Sequence, residues 1–170
     1  MKIKQIVLTF VLMLMGFTGL IAASPATQNT PYTNSEFSAT FNGPVTLDPR
    51  TQEKSTEIIY QSEVDNVYQA VVVRHVNYDL EVSPANADFY ADNDSMPAGD
   101  VPSDRSSGVY QGHYYTYLGH TFVIDGTTYT KRVRNIVVNA REVIFIEQIT
   151  PQNLNDQQAW ADFETSLNIK

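Results

Sequence analysis

Two runs of the chain, 68–76 and 142–149, carry branched or aromatic apolar side chains at consecutive positions. In the first, Ala70 and Val72 fall on one face of an extended strand and Val71 and Val73 on the other. In the second, Val143 and Phe145 alternate with Ile144 and Ile146. A strand greasy on both sides has to be covered on both sides, so each run belongs inside a sheet that is packed above and below. Turn-forming pairs bound these runs. Asp65-Asn66 divides the stretch 55–78 into two strands, the second with its apolar run at 68–76, Asp125-Gly126 separates 120–124 from 127–138, and Asn139-Ala140 precedes 142–149. Asn, Asp and Gly tolerate the positive φ of tight hairpins, so the late part of the chain reads as a three-strand meander.

Other segments attach to this frame. In "EFSATFNGPV" Phe37, Ala39 and Phe41 share one face while Ser38 and Thr40 share the other, a half-buried strand ended by Asn42-Gly43-Pro44. Near the end, "NDQQAWADFETSL" predicts a helix. Asn155 caps it, Gln158 completes a capping box, and Trp160, Phe163 and Leu167 recur at i, i+3, i+7. Ser83-Pro84 opens one or two helical turns, after which Pro97, Gly99, Pro102 and Gly108 force an acidic loop.

The N-terminus addresses the chain. Lys2 and Lys4 precede an uncharged run rich in Leu, Val, Met and Phe over residues 6–21, and the small residues Ser24, Pro25 and Ala26 follow. That layout is a secretory signal peptide over 1–26, cut after Ala23 or Ala26. An uncleaved anchor is the alternative, since about 20 apolar residues span a bilayer. Residues 27–35 read as an extended polar tail and 36–170 as one domain. No cysteine occurs, which removes disulfides, thiolate zinc sites and the lipid-bearing cysteine of bacterial lipoproteins. Secreted or periplasmic release without a stable membrane anchor is therefore expected. The net charge is −8, and losing the two leader lysines makes it more negative still. A chain so acidic is poorly suited to the phosphate backbone of a nucleic acid, which needs clustered cations.

Candidate chemistry concentrates in residues 110–134. On one continuous strand Tyr110 and Tyr114 share a face and Tyr115 and Tyr117 the other, so some phenols are expected to meet water, where they suit stacking on sugars or peptide groups. The plainer account is that aromatic residues favour strands. Arg132 and Arg134 share a strand face beside Lys131, placed to clamp a carboxylate or, more simply, to pair with the chain's own acids. His113 and His120 lie seven positions apart, about 23 Å on a straight strand, and with His75 they show no ligand spacing. Asp88, Asp92, Asp94, Asp100 and Asp104 include an i, i+2 pair reminiscent of a calcium loop, but Pro97 intrudes and no glutamate closes it. No nucleophile elbow, phosphate loop or paired-histidine motif occurs. No catalytic residue, metal or cofactor is expected.

"FSATFNGPV", "YQAVVVRHVNY", "TFVIDGTTYTKRVRNIVVNAREVIFIEQI" and "AWADFETSLNI" together resemble the PsbP/Mog-like superfamily over residues 36–169. The family's opening motif is Phe-x-Val-x-Phe-Pro-Gly. Phe37, Phe41 and Gly43 fit it, and Asn42 stands where proline is expected. The resemblance implies an α+β fold, a predominantly antiparallel twisted sheet covered by helices in an α/β/α sandwich. It also implies action by docking onto larger assemblies, without enzymatic activity, and it carries over no site residue. The expectation is a secreted, non-catalytic binding or assembly-associated protein with a protein or glycan partner in the cell envelope. The alternative is a glycan-binding or glycan-cleaving protein using the tyrosines. A small-molecule carrier, with its cavity between sheet and terminal helix, is a third possibility.

Overall fold

The computed structural model describes residues 29–94, 102–152 and 156–170. The expected leader and its cleavage site lie outside the described residues, as do Pro97, Gly99, Asp100 and Asn155, the expected helix cap. A three-stranded sheet is ordered β1-β2-β10, and a seven-stranded sheet is ordered β3-β4-β5-β9-β8-β7-β6. Their strands are β1 Thr30–Thr33, β2 Phe37–Phe41, β3 Thr46–Thr51, β4 Ser55–Val64, β5 Val67–Val76, β6 Asp104–Tyr110, β7 His113–Ile124, β8 Thr127–Asn139, β9 Glu142–Pro151 and β10 Asn168–Ile169. Two helices, α1 Pro84–Asp94 and α2 Asp156–Ser166, complete the described elements. Every described strand pairing is antiparallel.

The expected α+β class is overturned. The fold is mostly antiparallel β, with a curled seven-stranded sheet and only two short helices among the described residues. One face of the large sheet is closed by a second sheet together with α2. Phe37, Ala39 and Phe41 of β2 pack with Val71, Val73, Ile144 and Ile146 of the large sheet and with Trp160, Phe163 and Leu167. The opposite face carries α1, where Tyr90 and Leu80 meet Val76, Val143 and Phe145. The difference arises in segments whose extended form depends on distant partners. Residues read as tail pair with β2, and Thr46–Thr51 holds Pro49 on the β3 edge, where proline forfeits no interior ladder bond. The Ser-rich Asp104–Tyr110 pairs with β7.

The Asp65-Asn66 and Asp125-Gly126 hairpins form as expected, each with positive φ at both positions. β5 and β9 lie side by side inside the sheet, as their two-faced apolarity requires. The α2 stripe is buried, Trp160 at 7 %, Phe163 at 2 % and Leu167 at 1 % exposure. Gln158 does not serve a capping box, since its amide donates to Asp162 Oδ1 at 2.6 Å. α1 runs three turns instead of one or two. Ala87, Tyr90 and Ala91 bury themselves on the sheet, and Arg105 holds Asp88 and Asp92 on its flank, offsetting the poor intrinsic propensity of Asn and Asp. Ser83 does not cap through its hydroxyl, which is buried without a partner.

Candidate functional site

A third tight turn decides where the tyrosines go. Gln111 and Gly112 take φ of 50° and 87°, so the chain reverses between β6 and β7 and Tyr110 pairs with His113. Glutamine is not among the customary positive-φ residues, so Gly112 is the one local sign of the turn. Tyr110 therefore shares its face with Tyr115 and Tyr117, contrary to the expected pairing with Tyr114. That face lies under α2. Tyr114 stands alone on the other face, 37 % exposed and opposite Val109.

Tyr110, Tyr115 and Arg134 fasten the end of α2. The Arg134 guanidinium lies 4.7 Å from the Tyr110 ring centre and 4.2 Å from that of Tyr115, and it pairs with Glu164 of α2. Tyr110 Oη donates to the carbonyls of Glu164 and Leu167 at 2.8 and 3.1 Å. Burial pushes the Tyr110 phenol above its usual range, against the pull of Arg134, so it remains a donor. Arg134 thus serves the chain's own carboxylate, and Lys131 likewise pairs with Glu147 at 3.2 Å.

Tyr117 and Arg132 stand elsewhere. Strand register places Ser62, Gln69, Gln148, Arg132, Gly119 and Asp104 side by side across β4, β5, β9, β8, β7 and β6. This polar row interrupts an apolar face beneath the first half of α2. The Gln69 and Gln148 amides meet at 2.9 Å, and the Gln148 amide lies 3.2 Å from both Ala159 O and Trp160 N of the helix. Where the row reaches β8, β7 and β6, it opens into a cleft of about 550 Å³. Arg132 and Thr130 line it, together with Tyr117, Trp160, Asp104 and Gln157. The Tyr117 and Trp160 rings are 5.9 Å apart and tilted. Arg132 is 9 % exposed and hydrogen-bonds the Tyr117 phenol, whose pKa is raised by burial in spite of that cation. The cleft therefore presents an aromatic wall, a cation and a carboxylate, with the hydroxyls of Ser103, Thr121 and Thr130 around them.

Of the six residues singled out in the sequence, Tyr117 and Arg132 reach this cleft together, and Tyr110, Tyr114, Tyr115 and Arg134 do not line it. Trp160 read only as core, and Asp104 only as loop. The legible signal was the polar break in each interior strand, Gln69 within "VYQAVVV" and Gln148 within "EVIFIEQI". The space between sheet and α2 is filled by Phe41, Phe163 and Leu167, with clefts at the helix flanks.

The histidines are dispersed. His113 Nδ1 lies 3.1 Å from Val138 O, His75 Nε2 lies 2.9 Å from Glu36 Oε1, and His120 stacks on Phe122. Among the described residues no group of three or more His, Cys, Asp or Glu is placed to hold a metal ion. Among the same residues no helix is long and apolar enough to cross a membrane.

No protein-family profile matches the chain, and no curated protein matches it. Among solved structures, the chain is similar to LpqN, involved in cell envelope biogenesis of Mycobacterium tuberculosis. The TM-score is 0.50 at 16 % identity, covering 84 % of this chain and 91 % of that one. At this identity the likeness concerns the fold.

Proposed function

We propose that this is an exported, envelope-side binding protein that works without covalent chemistry and holds a hydroxyl-rich ligand, a glycan segment, in the Tyr117–Trp160–Arg132 cleft. The supporting observation is the lining itself. A sugar offers an apolar ring face and a fringe of hydroxyls that both donate and accept. The cleft sets an aromatic wall beside a guanidinium donor, a carboxylate acceptor and several hydroxyls. Glycoside cleavage needs two carboxyl groups flanking the bond, whereas the described lining contributes one, Asp104. The leader-like N-terminus and the fold shared with a protein of cell envelope biogenesis support the compartment. Docking onto a larger envelope assembly, as the PsbP/Mog-like resemblance implies, is compatible with such a cleft as a glycan anchor.

Purified protein titrated with envelope oligosaccharides should gain several degrees in melting temperature, with the gain abolished in Asp104→Asn and Gln157→Ala. Both side chains are at the rim, so these variants should fold normally. Equal stabilisation of the variants, or none by any glycan, rejects the cleft as the site. Release of reducing ends from those glycans rejects the non-catalytic reading.

A further inference from the structure

On its other flank α2 borders a second cleft, of about 420 Å³, between the helix and the Asp65-Asn66 turn with the end of β2. Its composition differs in kind from the first. Val64, Val67 and Phe163 supply apolar walls, and Asp65 and Asp162 supply carboxylates from opposite sides, the turn and the helix. Asn42 lines the cleft at 8 % exposure, and two bonds hold it, of which the side-chain one sets the amide's orientation. Its backbone N–H donates to Gln69 Oε1 at 2.8 Å and its Nδ2 to Val67 O at 2.9 Å. Asn42 Oδ1 is left buried without a hydrogen-bond partner. A buried acceptor with no donor is destabilising, which makes it a place where a donor belongs. The neighbouring Gln69 NH2 is already engaged by Gln148. The described lining thus offers carboxylate, amide and hydroxyl oxygens around an apolar slot, in a protein of net charge −8 that attracts cations.

We propose that this second cleft binds a primary alkylammonium group, such as a lysine side chain, with its carbon stem against Val64 and Phe163 and its ammonium among Asp65, Asp162 and Asn42. A primary ammonium brings three donors and no acceptor, the complement of this lining. A neutral alcohol brings one donor and no charge to set against Asp65 and Asp162, the latter already accepting from Gln158.

The test is an NMR titration of the full chain at fixed ionic strength with n-butylammonium, and with n-butanol and butyrate as isosteres. Saturable shifts centred on Asn42, Asp65 and Phe163 are expected for the ammonium, at least about fivefold tighter than for butanol. Asp65→Asn, which keeps a turn-compatible residue, and Asp162→Asn should each weaken ammonium binding about threefold, as one exposed ion pair is worth. Equal affinity for butanol, shifts centred elsewhere, or unchanged affinity in the double variant each overturn the proposal. Asp104→Asn in the first cleft should leave ammonium binding unchanged, so this outcome and the glycan outcome are read independently.

Discussion

The sequence resemblance leads to the expectation of proline at position 42, and the surroundings of Asn42 show why proline does not fit here. Its backbone N–H donates to the buried Gln69 Oε1, and its side chain to Val67 O. Proline has no N–H to give and cannot replace the amide. Asn42→Pro should therefore leave a buried acceptor unmet and destabilise the protein by about 2 kcal/mol or more, measured by urea denaturation. A variant of unchanged midpoint would show that the amide network contributes nothing. The adjacent Gly43 is constrained differently, since a Cβ there would fall on Val64 Cγ2. Phe37, Phe41 and Gly43 were legible as parts of a strand and its end. The amide bonds of Asn42 were not, because Gln69 lies 27 residues away in the chain.

At the scale of elements, two arginines of the large sheet each seat a helix. Arg74 pairs with Glu57 and stacks on Phe145 and Tyr90, beneath α1. Arg134 pairs with Glu164 between the Tyr110 and Tyr115 rings, beneath α2. Arg134 and Glu164 are 13 % and 18 % exposed, so removing one strands a poorly solvated charge. Glu164→Leu should cost about 3 kcal/mol, while Arg134→Met combined with Glu164→Leu should recover most of it, because an apolar pair of similar volume carries no desolvation penalty. A double-mutant cycle in guanidinium chloride checks this, and additive losses would mean the pair does not act as a unit. The helix itself was legible from Trp160, Phe163 and Leu167. Which residues of the sheet would receive it was not.

For the whole molecule, the phenols set an alkaline limit. Tyr60, Tyr68, Tyr110 and Tyr117 all have pKa values raised above the ordinary 10.0, in each case chiefly by burial. In the unfolded chain they ionise near 10, while the folded state holds them protonated. Between those two points the folded state binds more protons, so stability falls as pH rises. Stability should be level through neutral pH and decline above about pH 10, with the buried phenols ionising only as the protein unfolds. Absorbance at 295 nm recorded with circular dichroism tests this. Ionisation of all ten tyrosines near pH 10 with the fold intact would contradict it.

Local pattern was enough to determine the hairpins at Asp65-Asn66 and Asp125-Gly126, the interior strands β5 and β9, and the apolar stripe of α2. Each depends on residues within a few positions of one another, where period and turn chemistry act directly. The helix-covered α+β class failed because three segments, Thr30–Thr33, Thr46–Thr51 and Asp104–Tyr110, become strands only through pairing with residues elsewhere in the chain. The clefts were decided by tertiary structure alone. A turn at Gln111-Gly112 reverses the strand and sends three tyrosines beneath α2, and register aligns polar side chains from five strands, with Gly119 of a sixth, into one row. Such a row is a property of strand pairing, and no stretch of sequence contains it.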